Sequence, residues 1–136
     1  MKQSEFSNLA KEHIVKHYPL FIGNLNFKQD GSFDCSIKSK TGRLSVWIAT
    51  YDCEITIGFE DAEGKCDWHT HMSLFGANEP KVEPNAMSQL LDSILSDKEP
   101  IVFSSKSGFT LTDNINEDIN QKEDDETITV YKWTEL

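Results

Sequence analysis

The chain has 136 residues, 38% of them hydrophobic, and a formal net charge of −10. That length fits one domain whose hydrophobic core needs no disulfide staples, so we expect a single domain over residues 1–136. One arginine and scattered lysines form no basic stripe that would neutralise phosphates, which argues against direct nucleic-acid binding.

The sequence predicts a cytoplasmic protein with no membrane partner. It has no run of about 20 apolar residues, the length of a membrane span, and no basic and apolar export signal at its start. Cys35, Cys53 and Cys66 are odd in number, show no CxxC spacing and fall in strand-like segments. We interpret them as reduced core thiols, which is consistent with the cytoplasm.

The negative charge is concentrated in the second half of the chain. Residues 1–60 hold seven acids and seven bases, whereas residues 61–136 hold sixteen acids and six bases. An acidic surface attracts basic partners and speeds their encounter, although the same excess of acids also keeps a protein soluble. The charge pattern therefore favours a basic protein as the partner.

The first half of the chain predicts one helix followed by a β-meander. Ser4 can cap a helix over about 4–17, in which apolar residues recur with helical period, and Pro19 limits its end. From Leu20 the period changes to two, and short turns separate the segments, which indicates antiparallel pairing. The predicted strands lie near 20–28, 33–39, 43–50, 53–60 and 66–74.

The second half predicts another helix and three more strands. Asn85 is a good cap for a helix over about 86–97, and strands are expected near 100–104, 109–111 and 127–133. The fold class is therefore α+β: an N-terminal helix, an antiparallel meander of five or more strands, a second helix and C-terminal strands. Each helix has one apolar stripe, so we expect both to cover the same face of the sheet. Residues expected in the core include Ile55, Ile57, Trp68 and Met72.

His13 and His17 have the spacing of a zinc-protease helix, but Ile14 stands where that motif needs its general-base glutamate. Both histidines lie on the apolar stripe of the first helix. We interpret them as partly buried packing residues with a hydrogen bond to the sheet.

Residues 113–126 carry seven acids and one lysine, and their only large apolar residues are two isoleucines. We interpret this segment as a mobile acidic loop that contributes to partner binding. A calcium loop is the sharper alternative, but the frame that starts at Asn114 has Ile119 where the tight-turn glycine belongs. The binding residues predicted here are Asp113, Glu117, Asp118, Glu123, Asp124, Asp125 and Glu126.

Two histidines one residue apart, His69 and His71, project from one face of a predicted strand. Turns of two and four residues on either side of the preceding strand keep the apolar faces of the meander together. In that register Glu54 lies opposite His71, and Thr56 lies opposite His69 with Trp47 beside it. A carboxylate, two imidazoles and an indole are therefore expected to converge.

We predict that this face binds a partner through Trp47, Glu54, Asp67, His69 and His71. Zinc-hydroxide hydrolysis is an alternative, with the two histidines as ligands and Glu54 or Asp67 as a third. A third ligand and its supporting shell are not assured, so we expect no metal, and the sequence shows no catalytic set and no cofactor motif.

Small size, one acidic domain, a helix followed by a meander and the lack of a catalytic set resemble the immunity proteins of bacterial toxin systems such as contact-dependent growth inhibition. Trp47, Glu54 and the His69–His71 pair resemble the sparse Trp, acid and His-x-His patterns of such families. The resemblance implies an inhibitor that holds a cognate basic toxin, often a nuclease, by acidic complementarity. A zinc-dependent hydrolase and a generic protein-interaction domain stay open as alternatives.

Overall fold

The computed structural model describes residues 1–112 and 114–136, and its elements follow the expected α+β order. The helices are α1 (Gln3–His17), α2 (Glu83–Leu95) and α3 (Ile115–Asn120). The strands are β1 (Asn26–Phe27), β2 (Phe33–Lys38), β3 (Leu44–Ala49), β4 (Thr56–Asp61), β5 (His69–His71), β6 (Ile101–Ser104), β7 (Gly108–Leu111) and β8 (Ile128–Tyr131). Within the described ranges, no helix combines the length and the apolar composition that crossing a bilayer requires.

The strands form two antiparallel sheets. The first has five strands in the order β1-β2-β3-β4-β5, and the second has three in the order β7-β6-β8. The predicted meander of five strands is therefore confirmed. The strands after α2 form a sheet of their own.

One face of the five-stranded sheet, which we call the inner face, belongs to the hydrophobic core. Its buried residues alternate with half-buried neighbours along β3, as period-two patterning requires. They share one core cluster with the apolar stripes of α1 and α2 and with the second sheet, so the predicted covering of one face by both helices is confirmed. The buried residues of this face include Phe33, Cys35, Leu44, Val46, Ile48, Ile55, Ile57 and Phe59.

Trp68 is only half-buried, contrary to expectation, whereas Met72 is buried as predicted. The indole of Trp68 packs on the ring of Phe59 with 4.6 Å between centroids. Since Trp68 lies just before β5, at the edge of the sheet, its other side borders open space.

The predicted N-caps are wrong for both long helices. Ser4 lies inside α1, whose N-cap is Lys2, and Asn85 lies inside α2, whose N-cap is Val82. No side chain caps either helix. Pro84 occupies the first turn of α2, where its fixed φ suits a helix and its missing N–H is not needed.

The predicted strand over 20–28 is mostly wrong, because a 3₁₀ helix covers Pro19–Asn24 and leaves only the short β1. Proline at the start of that turn presets helical geometry. Phe21 is fully buried and anchors the turn on the core, which overrides the strand propensity of this stretch.

The predicted two-residue turn between β3 and β4 is also wrong. A 3₁₀ turn spans Tyr51–Cys53, and two of its residues have left-handed φ values of 56° and 54°. As a result Ala49 pairs with Thr56, and Thr56 in turn pairs with His71. Both registers differ from the prediction by two residues. A shift of two keeps every side chain on its predicted face, so only the direct partners change.

The acidic segment expected to be a loop contains α3. The side chain of Asn114 caps this short helix by accepting a hydrogen bond from the Glu117 backbone N–H over 3.1 Å. Negative charge in the first turn of a helix is favourable, which suits Glu117 and Asp118. Asp113 lies outside the described residues.

The three cysteines differ in depth. Cys35 is buried in β2, as predicted, but Cys53 and Cys66 are half-buried and lie outside the strands. The thiol of Cys66 donates a hydrogen bond of 2.9 Å to the carbonyl oxygen of Phe109 in β7. Burial raises the pKa of the Cys66 thiol. The hydrogen bond from Cys66 to Phe109 joins the two sheets.

The single arginine, Arg43, also bridges the sheets. Its guanidinium lies over the rings of Phe103, Phe109 and Tyr131, at 5.1, 5.3 and 4.9 Å from their centroids. It donates a hydrogen bond of 2.9 Å to the Tyr131 hydroxyl. Cation–π contacts of this kind hold the start of β3 against the second sheet.

His13 bonds to helix α2 and not to the sheet, which corrects the prediction. Its Nε2 lies 2.5 Å from the Ser88 hydroxyl. Burial lowers the pKa of His13, and the positive charges of His17 and Lys16 lower it further. His17 is exposed.

Candidate functional site

The candidate site is the other face of the five-stranded sheet, which we call the outer face. Two rows of side chains cross it from β2 to β5. One row is Ser36, Trp47, Gly58 and His69, and the other is Asp34, Ala49, Thr56 and His71. Both helices pack against the inner face, and the side chains of the outer face are half-buried or exposed.

Trp47 is seated directly on Gly58. A Cβ atom at position 58 would lie 2.2 Å from Cζ2 of the Trp47 indole, so only glycine leaves room for the ring. The indole also lies beside His69, with 6.4 Å between ring centroids. A glycine inside a strand often marks such a close approach, and this is the sequence signal that would have pointed to the contact.

A depression of about 320 Å³ adjoins Trp47 on the outer face. Asp34 and Glu60 both line it, one from β2 and one from β4. A depression lined by an indole and two carboxylates suits a lysine or arginine side chain, which gains cation–π attraction and charge-assisted hydrogen bonds. Asp34 also pairs with Lys28 over 3.1 Å, but both groups are exposed and such pairs contribute little.

Sequence reasoning missed Asp34 and Glu60. Ser36 and Gly58 pair with Trp47, and Asp34 and Glu60 lie two residues from these partners along β2 and β4. Side chains two residues apart on a strand share a face, so both carboxylates lie on the same face as Trp47. Their closeness depends on the register of three strands.

His71 forms a polar cluster with Thr56, Glu54 and Ser73. Its Nδ1 lies 2.9 Å from Thr56 Oγ1 and 3.3 Å from Glu54 Oε1, and the Ser73 hydroxyl donates to the same Glu54 oxygen over 3.0 Å. A Ser–His–acid triad needs the nucleophile and the acid on different ring nitrogens. Here both contacts fall on Nδ1, so the arrangement can orient and bind polar groups but lacks triad geometry.

The structure therefore brings together four of the five predicted residues of this face. Trp47, Glu54, His69 and His71 line the outer face as expected, although Glu54 reaches His71 from just before β4 and is not its direct cross-strand partner. Asp67 is exposed and precedes β5, where its carbonyl oxygen lies 3.1 Å from His69 Nδ1.

The acidic residues of the segment 114–126 lie at the second sheet and not on the outer face. The ammonium group of Lys106, in the turn between β6 and β7, pairs with Glu123 and, over 2.7 Å, with Asp125. Glu126 accepts a hydrogen bond from the Ser104 hydroxyl. Asp124 is exposed. The predicted acidic binding residues thus form a separate surface from the one around Trp47.

The donor set for a zinc site is incomplete in the part of the chain that the structure describes. His69 and His71 have ring centroids 5.5 Å apart. No group of three or more His, Cys, Asp or Glu side chains in residues 1–112 and 114–136 is arranged to hold a metal ion. A catalytic zinc normally has three protein ligands.

Comparison of the chain with protein-family models, with curated proteins and with solved structures finds no match. Three features of the outer face matter: the indole seated on Gly58, the acidic depression beside it, and the cluster around His71.

Proposed function

We propose that this chain is a small cytoplasmic binding protein that holds and neutralises a basic partner protein, as an immunity protein does with its cognate toxin domain. The observation that carries the proposal is the outer face. There the Trp47 indole lies between the acidic depression of Asp34 and Glu60 and the cluster of Glu54 and His71.

The outer face has the composition of a binding hot spot. Tryptophan is enriched among the few interface residues that dominate binding energy, and such residues lie near the centre of the contact. Trp47 occupies the middle of a row whose ends are Ser36 and His69. Its seat on Gly58 fixes the ring before binding, which lowers the entropy lost on association.

The charge of the chain favours a basic partner. The net charge is −10, and residues 61–136 hold sixteen acids against six bases. Exposed acids steer a basic protein toward the surface over a Debye length of about 8 Å at physiological ionic strength. Association should therefore slow as salt rises, while dissociation depends mainly on the contacts around Trp47.

The geometry favours binding over catalysis. Glu54 and Thr56 both contact the same nitrogen of His71, and the described residues offer no three-ligand metal set. We therefore do not propose the hydrolase alternative. A cytoplasmic location would keep the three free cysteines reduced.

The first test is co-expression with the protein encoded immediately upstream of this chain, followed by pull-down and a growth-rescue assay. We expect the neighbour to be toxic alone, to be bound by this chain and to be neutralised by it. A neighbour that is neither toxic nor bound contradicts the immunity function.

The second test maps the contact with paired variants. Trp47→Ala should raise the Kd for the partner by about tenfold or more, since central tryptophans dominate interfaces. Leu20→Ala is the matched control, because Leu20 is 77% exposed and is not among the residues that line the depression beside Trp47. Equal binding by the two variants would show that the outer face is not the contact surface.

A further inference from the structure

The unpaired edge of β5 is a second candidate contact surface for a partner protein. β5 is the last strand of the five-stranded sheet, and β7 is one of the two edge strands of the second sheet. The two edges meet at Cys66, whose thiol bonds to the carbonyl oxygen of Phe109. In the described part of the chain no strand pairs with β5 on the side away from β4.

The hydrogen-bond pattern shows which backbone groups this edge presents. Phe59 N–H donates to the Trp68 carbonyl over 2.9 Å, and Met72 N–H donates to the Ile55 carbonyl over 3.0 Å. Hydrogen-bonded and non-hydrogen-bonded pairs alternate along an antiparallel ladder. Residues 68, 70 and 72 therefore direct their backbone groups toward β4. The backbone N–H and C=O groups of His69 and the N–H of His71 point to the open edge. The C=O of His71, the N-cap residue of the 3₁₀ turn Met72–Phe75, accepts the first hydrogen bond of that turn.

Beside this edge lies open space with an apolar floor. A cavity of about 230 Å³ is lined by the apolar side chains of Trp68, Phe75, Leu90 and Leu111 and by Glu99, His69 and two threonines. Phe75 is 50% exposed, which is high for an aromatic side chain with no external partner.

The space continues toward the acidic helix. A second cavity of about 400 Å³ shares Trp68 and Leu111 with the first and is also lined by Asp118 and Glu126 from the acidic segment. Lys122 is the basic residue on its lining. The groove as a whole therefore combines an unpaired strand edge, an apolar floor and an excess of carboxylates.

We infer that β5 accepts an extended segment of the basic partner as an added antiparallel or parallel strand. The segment alternates apolar and basic residues, because side chains alternate along a strand and one side would meet the Trp68 floor. Backbone hydrogen bonds to His69 and His71 supply the pairing, and the carboxylates of the groove attract a basic segment. Glu54, beside His71 on the outer face, is the carboxylate that the lysine or arginine side chains pointing away from the floor would meet. A second copy of this chain is disfavoured as the occupant, since it carries the same net charge of −10. The inference rests on the proposed function for the identity of the partner, but the edge can be tested without it.

The probe is a blocked synthetic hexapeptide of alternating lysine and valine, titrated into the intact isotope-labelled protein and followed by amide NMR shifts. We expect the largest shifts at His69 and His71, with further shifts near Trp68 and Leu111. A peptide with glutamate in place of lysine should bind about tenfold more weakly. Failure of the lysine–valine peptide to bind, or shifts centred elsewhere, contradicts the inference.

Two variants at position 69 distinguish the contribution of the backbone N–H to binding from that of the imidazole. His69→Pro removes the N–H that points to the edge, and proline is tolerated there because the bonds to β4 use residues 68, 70 and 72. His69→Ala removes only the imidazole. We expect His69→Pro to raise the peptide Kd by about tenfold and His69→Ala by less than about threefold. Equal effects of the two variants would overturn the inference.

A modified peptide keeps the test decisive if His69→Pro disturbs folding. Methylation of the peptide's valine nitrogens removes its donors while the protein is unchanged, and binding should be lost. Sedimentation of the protein alone checks the other occupant, since self-association that His69→Pro abolishes would assign the edge to a second copy. If the toxic neighbour binds through Trp47 but the peptide does not bind, the edge inference fails and the proposed function stands. If the peptide binds at β5 but the neighbour is neither toxic nor bound, the proposed function fails and the edge inference stands.

Discussion

The inner and outer faces of the five-stranded sheet alternate along the same strands but differ in what covers them. Val46 and Ile57 point inward and are fully buried beneath the helices. Trp47 and Thr56, their neighbours in sequence, point outward and stay half-buried. One face fills a core, and the other presents an indole, imidazoles and carboxylates to solvent.

Stability and binding are therefore separable within one strand. A substitution on the inner face should cost folding free energy, whereas one at an exposed or half-buried side chain of the outer face should leave stability nearly unchanged and alter binding; Gly58, on which the indole is seated, is the exception.

The largest effect is expected for Ile57→Asp. A carboxylate at this fully buried position has no partner, so the free energy of unfolding should fall by about 4 kcal/mol. The matched variant Thr56→Asp, one residue away on the outer face, should cost less than about 1 kcal/mol. Urea denaturation of both variants measures the difference, and similar losses would show that the assignment of the faces is wrong.

Glu83→Gln should produce the next largest effect, and it depends on pH. Glu83 is 3% exposed and accepts the Ile55 N–H over 3.2 Å. Burial raises the pKa of Glu83 from 4.5 to about 7, with a further contribution from the charge of Glu54. The folded state therefore holds a proton between pH 4.5 and about 7 that the unfolded state has released.

Stability from this group is fully present below pH 4.5 and is lost as the pH rises through about 7. Glu83→Gln should remove this dependence of the unfolding free energy on pH and raise stability above pH 7 by up to about 3 kcal/mol. Unfolding free energies measured between pH 4 and about 8 test this, with the exposed Glu79→Gln as a control that leaves the slope unchanged. If the pH dependence of the unfolding free energy persists in Glu83→Gln, it comes from another titratable group.

A smaller effect is expected for Gly58→Ala. The added methyl group would overlap the Trp47 ring, and displacing the indole should cost about 2 kcal/mol. In a Trp47→Ala background the same change should cost little, because the clash is gone. Thermal unfolding of the double-mutant cycle, with Trp fluorescence, measures the coupling. Additive costs would mean that the indole does not depend on its glycine seat.

The smallest stability effect is expected for Glu54→Gln. Its contact with His71 lies on an exposed part of the outer face, where ion pairs contribute less than about 0.5 kcal/mol. Association with the basic partner should nevertheless slow, since a steering charge is lost. Stopped-flow measurements give the association rate, and urea denaturation gives the free energy of unfolding. A large stability loss with an unchanged rate would make this contact structural.

The sequence predicted the faces of the sheet better than the pairing of its strands. Hydrophobic alternation decides which face a residue such as Ile57 or His71 occupies, and it is a local property. Register depends on the turns. The left-handed residues of the turn at 51–53 shifted the pairing by two, and an even shift preserves the faces.

Other differences come from contacts that are distant in sequence. The strand expected from Leu20 became a 3₁₀ helix because Phe21 is buried in the core. The approach of Cys66 to Phe109, which creates the groove beside β5, joins residues 43 positions apart. The helix α3 did have a local signal, since Asn114 followed by Glu117 three residues later resembles a capping pattern.

The bond between the Cys66 thiol and the Phe109 carbonyl also gives the protein a native reporter of its own motions. Thiols react with labelling reagents only when local opening exposes them and only as thiolates. Cys53 lies in a turn, Cys66 at the contact of the two sheets and Cys35 in the core. Labelling should therefore proceed in that order. The rate at Cys66 would measure how often the sheets separate, and a strand bound along β5 should slow it.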